Sequence, residues 1–162
     1  SGIGSVGSMR RVMRHIILAI LLLLGAAQFI PSPRNSGPAE GPASIVKTQL
    51  VPAEVAQILR RACYDCHSDN TRYPWYASVQ PVAWWLDRHI GEGKAELNFS
   101  RFSTYNTKRA VRKLHAVADE VRDRHMPLKS YLLMHAEAKL SEADVALFAG
   151  WAEDLADEIE SG

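Results

Sequence analysis

The chain has 162 residues, with 19 Lys plus Arg against 18 Asp plus Glu and 47% hydrophobic side chains. So close a charge balance offers no basic excess for a polyanion, and no nucleic-acid partner is expected. The chain holds two cysteines, and one motif accounts for both.

The N-terminal stretch is read first. Arg10, Arg11 and Arg14 form a positive flank, residues 16–27 are an uncharged apolar run, and Gly25-Ala26-Ala27 is a small-residue stretch acceptable to a signal peptidase. Apolar character extends to Ile30 before Pro31 stops it. This is short for a membrane span of about 20 residues, although Val12 and Met13 can lengthen it into a tilted anchor. Residues 1–30 therefore read as an N-terminal extension plus a signal peptide or a membrane anchor over residues 12–30. Met9 reads as the natural start, which makes residues 1–8 an upstream extension. Residues 31–44 are rich in Pro, Gly, Ser and Ala and read as a flexible linker. Residues 45–162 form one small domain.

Within that domain the pattern is helical. Pro52 near a first helical position opens a helix carrying Val55, Ile58, Leu59 and Ala62 at helical spacing and running into Cys63. A turn-rich stretch follows over residues 69–74. Pro81 starts a second helix through Trp84, Trp85, Leu86 and Ile90, which Gly91 or Gly93 ends. A third spans about residues 104–124, with Val111, Leu114, Val117, Ala118 and Val121 on one face, broken off by Pro127. Ser141-Glu142-Ala143-Asp144 is a capping-box pattern opening a last helix with Val145, Phe148, Trp151, Ala152, Leu155 and Ile159 inward. No strand and no repeat is expected. The fold class is all-α, with about four helices; the run Cys63-Tyr64-Asp65-Cys66-His67 points to their packing around one covalent haem, in the manner of small mono-haem cytochromes c.

The haem expectation comes from Cys63-Tyr64-Asp65-Cys66-His67, a C-x-x-C-H run. Two thiols at this spacing can each add across a vinyl group of one porphyrin, and the adjacent imidazole can turn under its centre as the proximal iron ligand. Three other readings are weaker. A structural zinc site needs four ligands, and no second cysteine pair exists. A redox C-x-x-C expects βαβ surroundings, whereas these flanks are helical. A disulfide between Cys63 and Cys66 would close a very small loop and stabilise little. Attachment of this kind belongs outside the cytoplasm, which agrees with the N-terminal export pattern and points to the periplasm.

Met126, freed from helix geometry by Pro127, is the candidate distal ligand, because a thioether favours Fe(II) and raises the potential. Its alternative role is to fill a core gap. His125 is the nearest rival, with Met134, His135, His89 and His115 behind it, and an open distal site is the remaining option. Trp75, Tyr76, Trp84 and Trp85 form an aromatic group that can wall the porphyrin, Trp75 and Trp85 foremost; for Trp84 an ordinary core position is the simpler reading. Arg72, Arg101 or Arg109 can pair with propionates, Arg72 being preferred. Basic residues dominate between Arg101 and Lys129, whereas from Glu137 onward only Lys139 faces eight acids. Such a dipole suits oriented docking to a charged partner, or else two ordinary solvated helix faces.

Several stretches together resemble the bacterial haem-binding domain family of small exported c-type haem proteins. They include Cys63-Tyr64-Asp65-Cys66-His67-Ser68, Tyr73-Pro74-Trp75-Tyr76, Pro81-Val82-Ala83-Trp84-Trp85-Leu86, Leu97-Asn98-Phe99-Ser100, Met126-Pro127-Leu128 and Ala138-Lys139-Leu140-Ser141. His89-Ile90, Glu92-Gly93, Tyr131 and His135 add to the match, which covers about residues 50–151. Gln28-Phe29-Ile30-Pro31 resembles the end of the family's N-terminal segment and favours a tether over cleavage. The family reads His-Pro where this chain has His135-Ala136, so the turn there departs from the pattern. The resemblance implies one haem on Cys63 and Cys66 with His67 as ligand, and it supplies no reaction. Three functions follow: a periplasmic one-electron carrier between redox partner proteins, an enzyme or gas sensor with an exchangeable distal ligand, and an interaction module whose haem holds the fold. The first is preferred because nothing else in the chain forms a catalytic constellation. Oligomeric state is open.

Overall fold

The computed structural model describes residues 3–162. Among them there is no strand, only an isolated bridge between Ser36 and Asn70, so the protein is all-α. The helices are α1 (Ile3–Ala27), α2 (Ile45–Thr48), α3 (Ala53–Ile58), α4 (Tyr64–His67), α5 (Val82–Glu96), α6 (Thr107–Arg122), α7 (Lys129–Leu132) and α8 (Glu142–Ser161). Short 3₁₀ turns stand at Trp75–Ser78, Phe99–Thr104 and Ala136–Ala138. The chain divides into two compact units: residues 1–34 with 73–88, and residues 35–72 with 89–162. Helix α5 contributes to both.

The first unit contains α1 and the Trp75–Ser78 turn. In α1 the three arginines precede the apolar run of residues 16–27, and among the described residues no helix is long and apolar enough to cross a membrane. An amide bracket joins the end of α1 to the segment before α5. Gln28 Nε2 donates to the Gln80 carbonyl at 3.2 Å, and the Gln80 amide N–H donates back to Gln28 Oε1 at 3.0 Å. Gln80 Nε2 donates to the Ile30 carbonyl at 2.8 Å, so the buried Gln80 side chain is satisfied.

The second unit holds the core. Helix α6 lies along α8, and α3 packs on α8 as well. Leu114, Ala118 and Val121 of α6 meet Phe148, Ala152 and Leu155 of α8, with Phe99 and Phe102 completing the cluster. Each fully buried Phe or Leu contributes about 1.5–3 kcal/mol of transfer free energy. Residues 35–44 carry no helix, as their composition implies, yet they are pinned to this core. The Gly37 amide donates to the Asp69 carbonyl at 2.7 Å, Asn35 Nδ2 to the Ser68 carbonyl at 2.9 Å, and the Ser103 amide to the Ala43 carbonyl at 3.1 Å.

Helix ends account for the departures from the expected pattern. Helix α8 begins where its capping box predicts: Ser141 accepts from the Asp144 amide, and the Asp144 carboxylate accepts from the Ser141 amide. Removing this cap in Ser141→Ala should cost about 1 kcal/mol, read as a lower midpoint in urea unfolding. Helix α6 starts later than expected, because the Asn106 side chain caps it by accepting from the Arg109 amide at 2.9 Å. It ends at Arg122, two residues before the expected end at about residue 124. Arg124 takes a left-handed φ of 59°, and the amides of His125 and Met126 both donate back to the Glu120 carbonyl at 3.0 Å. Helix α5 runs through both glycines to Glu96, where Gly91 or Gly93 was expected to end it. Close approach explains one of them. A Cβ on Gly93 would stand 2.8 Å from the Cys66 carbonyl oxygen, so this glycine belongs to a contact and not to a terminus.

Candidate functional site

The helical run that carries the cysteines is not regular. Between α3 and α4 the chain widens into a π-helical stretch, Leu59–Cys63, which delivers Cys63 in a bent conformation at the start of α4. A widened turn of this kind costs hydrogen-bond quality and is frequent at functional sites. Cys66 and His67 then lie on the short α4, whose Cys66 carbonyl is covered by Gly93 of α5.

Two adjoining cavity lobes of ≈ 350 Å³ each meet at this point. Sites for cofactors are commonly about 300–1,000 Å³. Cys63 lines the first lobe and Cys66 the second, while His67, Met126 and Pro127 line both. The first lobe is walled by Leu97, Phe99, Val117 and Leu140, and the second by Leu128 and Tyr131. Residues 63, 66, 67 and 126, four positions spread over more than sixty residues of sequence, thus share one cavity.

The imidazole is fixed by the main chain. His67 Nδ1 lies 3.0 Å from the Leu97 carbonyl oxygen, so Nδ1 carries the proton and donates, and Nε2 keeps its lone pair. The ring meets Phe99 edge-on at 6.4 Å. Burial pushes the His67 pKa down, against the opposing pull of the Leu97 and Gly93 carbonyls, which favours the neutral form that a metal requires. Cys63 and Cys66 are free thiols. Burial pushes the Cys63 thiol up to about 12, and burial with the neighbouring Asp65 pushes Cys66 up to about 11. A dithiol redox site needs the opposite shift, toward a stable thiolate near neutrality.

Asp65, between the cysteines, is buried and ties the motif to two other segments. Its carboxylate accepts from the Arg72 amide at 2.9 Å and guanidinium at 2.9 Å, and from the Tyr131 hydroxyl at 2.7 Å. Thr71 Oγ1 donates to the Asp65 carbonyl at 2.7 Å. Tyr131 also stacks on His135 at 4.0 Å. Burial and the Asp65 hydrogen bond raise the Tyr131 pKa, so the phenol remains a donor.

The other sequence candidates fall in different places. Arg72 lies outside the cavity lining and pairs with Asp65. Trp75 and Trp85 belong to the first unit, with Trp75 78% and Trp85 47% exposed. Arg101 pairs with Asp69 at 2.7 Å, and Arg109 stands over the Tyr105 ring at 4.5 Å. Among the rivals to Met126, His125 is exposed beside Glu120, Met134 is exposed, and His89 lines the second lobe. Sequence reasoning passed over Lys113, which lines the first lobe and pairs with Glu96 at 3.0 Å; a lysine on an amphipathic helix carries no signal that separates it from a solvated one. It also passed over Leu97, whose carbonyl no sequence pattern distinguishes. Gly93 had a signal: a glycine inside a helical pattern suggests a close backbone approach.

An all-helical domain with two thiols, an oriented imidazole and a thioether around one apolar cavity defines a candidate prosthetic-group protein. A family model described as a haem-binding domain matches residues 22–154. The chain belongs to the haem-binding domain family, and haem is the ligand this domain takes. The comparisons with curated proteins and with solved structures gave no match. The donor set suits an iron porphyrin: a nitrogen lone pair and a sulfur face the same cavity, two thiols border it, and its walls are largely apolar.

Proposed function

We propose that this is an exported c-type cytochrome with one haem, attached by thioethers to Cys63 and Cys66, that passes single electrons between redox partner proteins in the periplasm. The observation that carries the reading is that Cys63, Cys66, His67 and Met126 border one cavity. His67 Nε2 is assigned as the proximal ligand and the Met126 thioether as the distal one. Bound haem supplies reversible one-electron iron chemistry. The protein's residues do the rest. Leu97 holds the imidazole tautomer, and Phe99, Val117 and Leu140 exclude water. The α6 turn through Arg124 brings Met126 to the cavity.

A filled distal position leaves no place for substrate, which favours a carrier over a catalyst. The catalytic or gas-sensing alternative calls for a polar group over an open iron. Arg124 is instead engaged with the Leu140 carbonyl and Glu142, and His125 is exposed beside Glu120. The charges expected to form a docking dipole are partly paired within the domain, Arg122 with Glu153 and Arg61 with Asp144. Helix α1, with its arginine flank, is read as the export signal or tether.

Met126→Ala tests the assignment. The ferric parent protein should display the weak long-wavelength charge-transfer band of thioether ligation, and the ferrous protein should resist carbon monoxide. Met126→Ala should lose the band and bind carbon monoxide promptly. Met134→Ala and His89→Ala should keep the parent spectrum. Loss of the band in His89→Ala with retention in Met126→Ala would overturn the assignment.

A further inference from the structure

Within the first unit, the segment after the Trp75–Ser78 turn carries large apolar side chains in solvent. Trp75 is 78% exposed, Val79 43%, Val82 38% and Trp84 39%. Single exposed apolar residues are ordinary, but a contiguous set marks an interaction surface. The same unit contains α1, whose large apolar residues from Met9 to Leu24 are exposed, and the turn after it, where Phe29 is 87% exposed. The Gln28–Gln80 bracket ties the aromatic segment to the end of α1 with three hydrogen bonds, one of which, from Gln80 Nε2 to the Ile30 carbonyl, engages the buried Gln80 side chain. The two apolar segments are therefore joined as one feature of this unit.

We propose that this feature is a lipid-contact surface, with Trp75 and Trp84 seated in the headgroup region of an anionic bilayer beside the C-terminal end of α1. Three observations choose lipid as the occupant. The arginines at positions 10, 11 and 14 precede the apolar run within two helical turns, which suits anionic headgroups. Residues 16–27 of α1 carry no polar or charged side chain on any face, a composition that prefers hydrocarbon to water. Tryptophan, with an apolar body and an N–H, concentrates at membrane–water boundaries. The surface does not depend on how haem is held.

The test is hydroxyl-radical footprinting of the full haem-loaded chain, with and without phosphatidylglycerol/phosphatidylcholine vesicles. Vesicles should reduce oxidation of Trp75 and Trp84 severalfold and leave Leu133 and Met134, exposed in the other unit, unchanged. A Trp75→Ser, Val79→Ser variant should partition onto the vesicles severalfold more weakly in flotation while keeping the parent visible spectrum. Unchanged Trp75 and Trp84 labelling on bound vesicles overturns the proposal, as does failure to float. Protection that appears without vesicles and grows with protein concentration also overturns it, because the occupant is then a second copy of the chain.

Discussion

A Cys63→Ala, Cys66→Ala double variant should retain no porphyrin after extraction with acidified acetone, while the parent chain retains one per polypeptide. The reasoning starts from bond type. His67 and Met126 can offer the iron only coordinate bonds, which acid breaks by protonating the imidazole and loosening the thioether. A carbon–sulfur link survives. In the proposed attachment each thiol would add its S–H across one vinyl group, an addition that requires no further oxidant or reductant. The two cysteines border different lobes of the cavity, so each single variant should keep one link and hold haem through acid. Intact-mass spectrometry reads all four proteins directly. A parent chain that releases its pigment under acid, like the double variant, would show that the family's haem sits here without thioethers.

The second large effect concerns two glycines on one helix with opposite consequences. An exposed helical glycine replaced by alanine ordinarily gains about 0.5–1 kcal/mol, because alanine loses less backbone freedom on folding. Gly91 meets this condition, since a Cβ there would touch nothing within 4 Å. Gly91→Ala should raise the melting temperature. At Gly93 the same change puts a methyl group 2.8 Å from the Cys66 carbonyl oxygen, a backbone atom that cannot rotate away. Gly93→Ala should lower stability by about 1–3 kcal/mol, as overpacking does, and it should displace α4 with Cys66 and His67. Thermal melts give the first effect. Haem content per polypeptide after export gives the second. Equal shifts for both glycines would remove the close contact from the account of the site.

These two glycines also mark what was legible in the sequence. The motif was plain because its chemistry is local: two thiols and an imidazole within five consecutive residues. The core face of α8 was legible too, because Phe148, Ala152 and Leu155 repeat at helical spacing behind a capping box. Met126 was a narrower inference. Nothing in its local sequence separates a methionine that borders a cavity from one that fills a gap; in the fold Met126 both packs against the core and borders both lobes, a position it owes to the chain reversal at Arg124. Trp75 and Trp85 stand close to the motif in sequence, but the chain changes unit at residue 73, and adjacency in sequence carries no information about that division. Helix ends were the least legible. Asn106 capped α6 with an interaction that competed with a longer helical pattern, and Gly93 stayed helical because its neighbour demanded the missing side chain.

The carbonyl of Leu97 holds the His67 ring, and a carbonyl belongs to every amino acid. No point substitution at position 97 can delete that acceptor. In the many haem and zinc proteins where a carboxylate side chain fills this place, one codon change can weaken the proximal ligand's anchor. Here the anchor is inherited from the path of the backbone, so drift in the genetic sequence reaches the imidazole through its surroundings, such as Phe99 against the ring's edge.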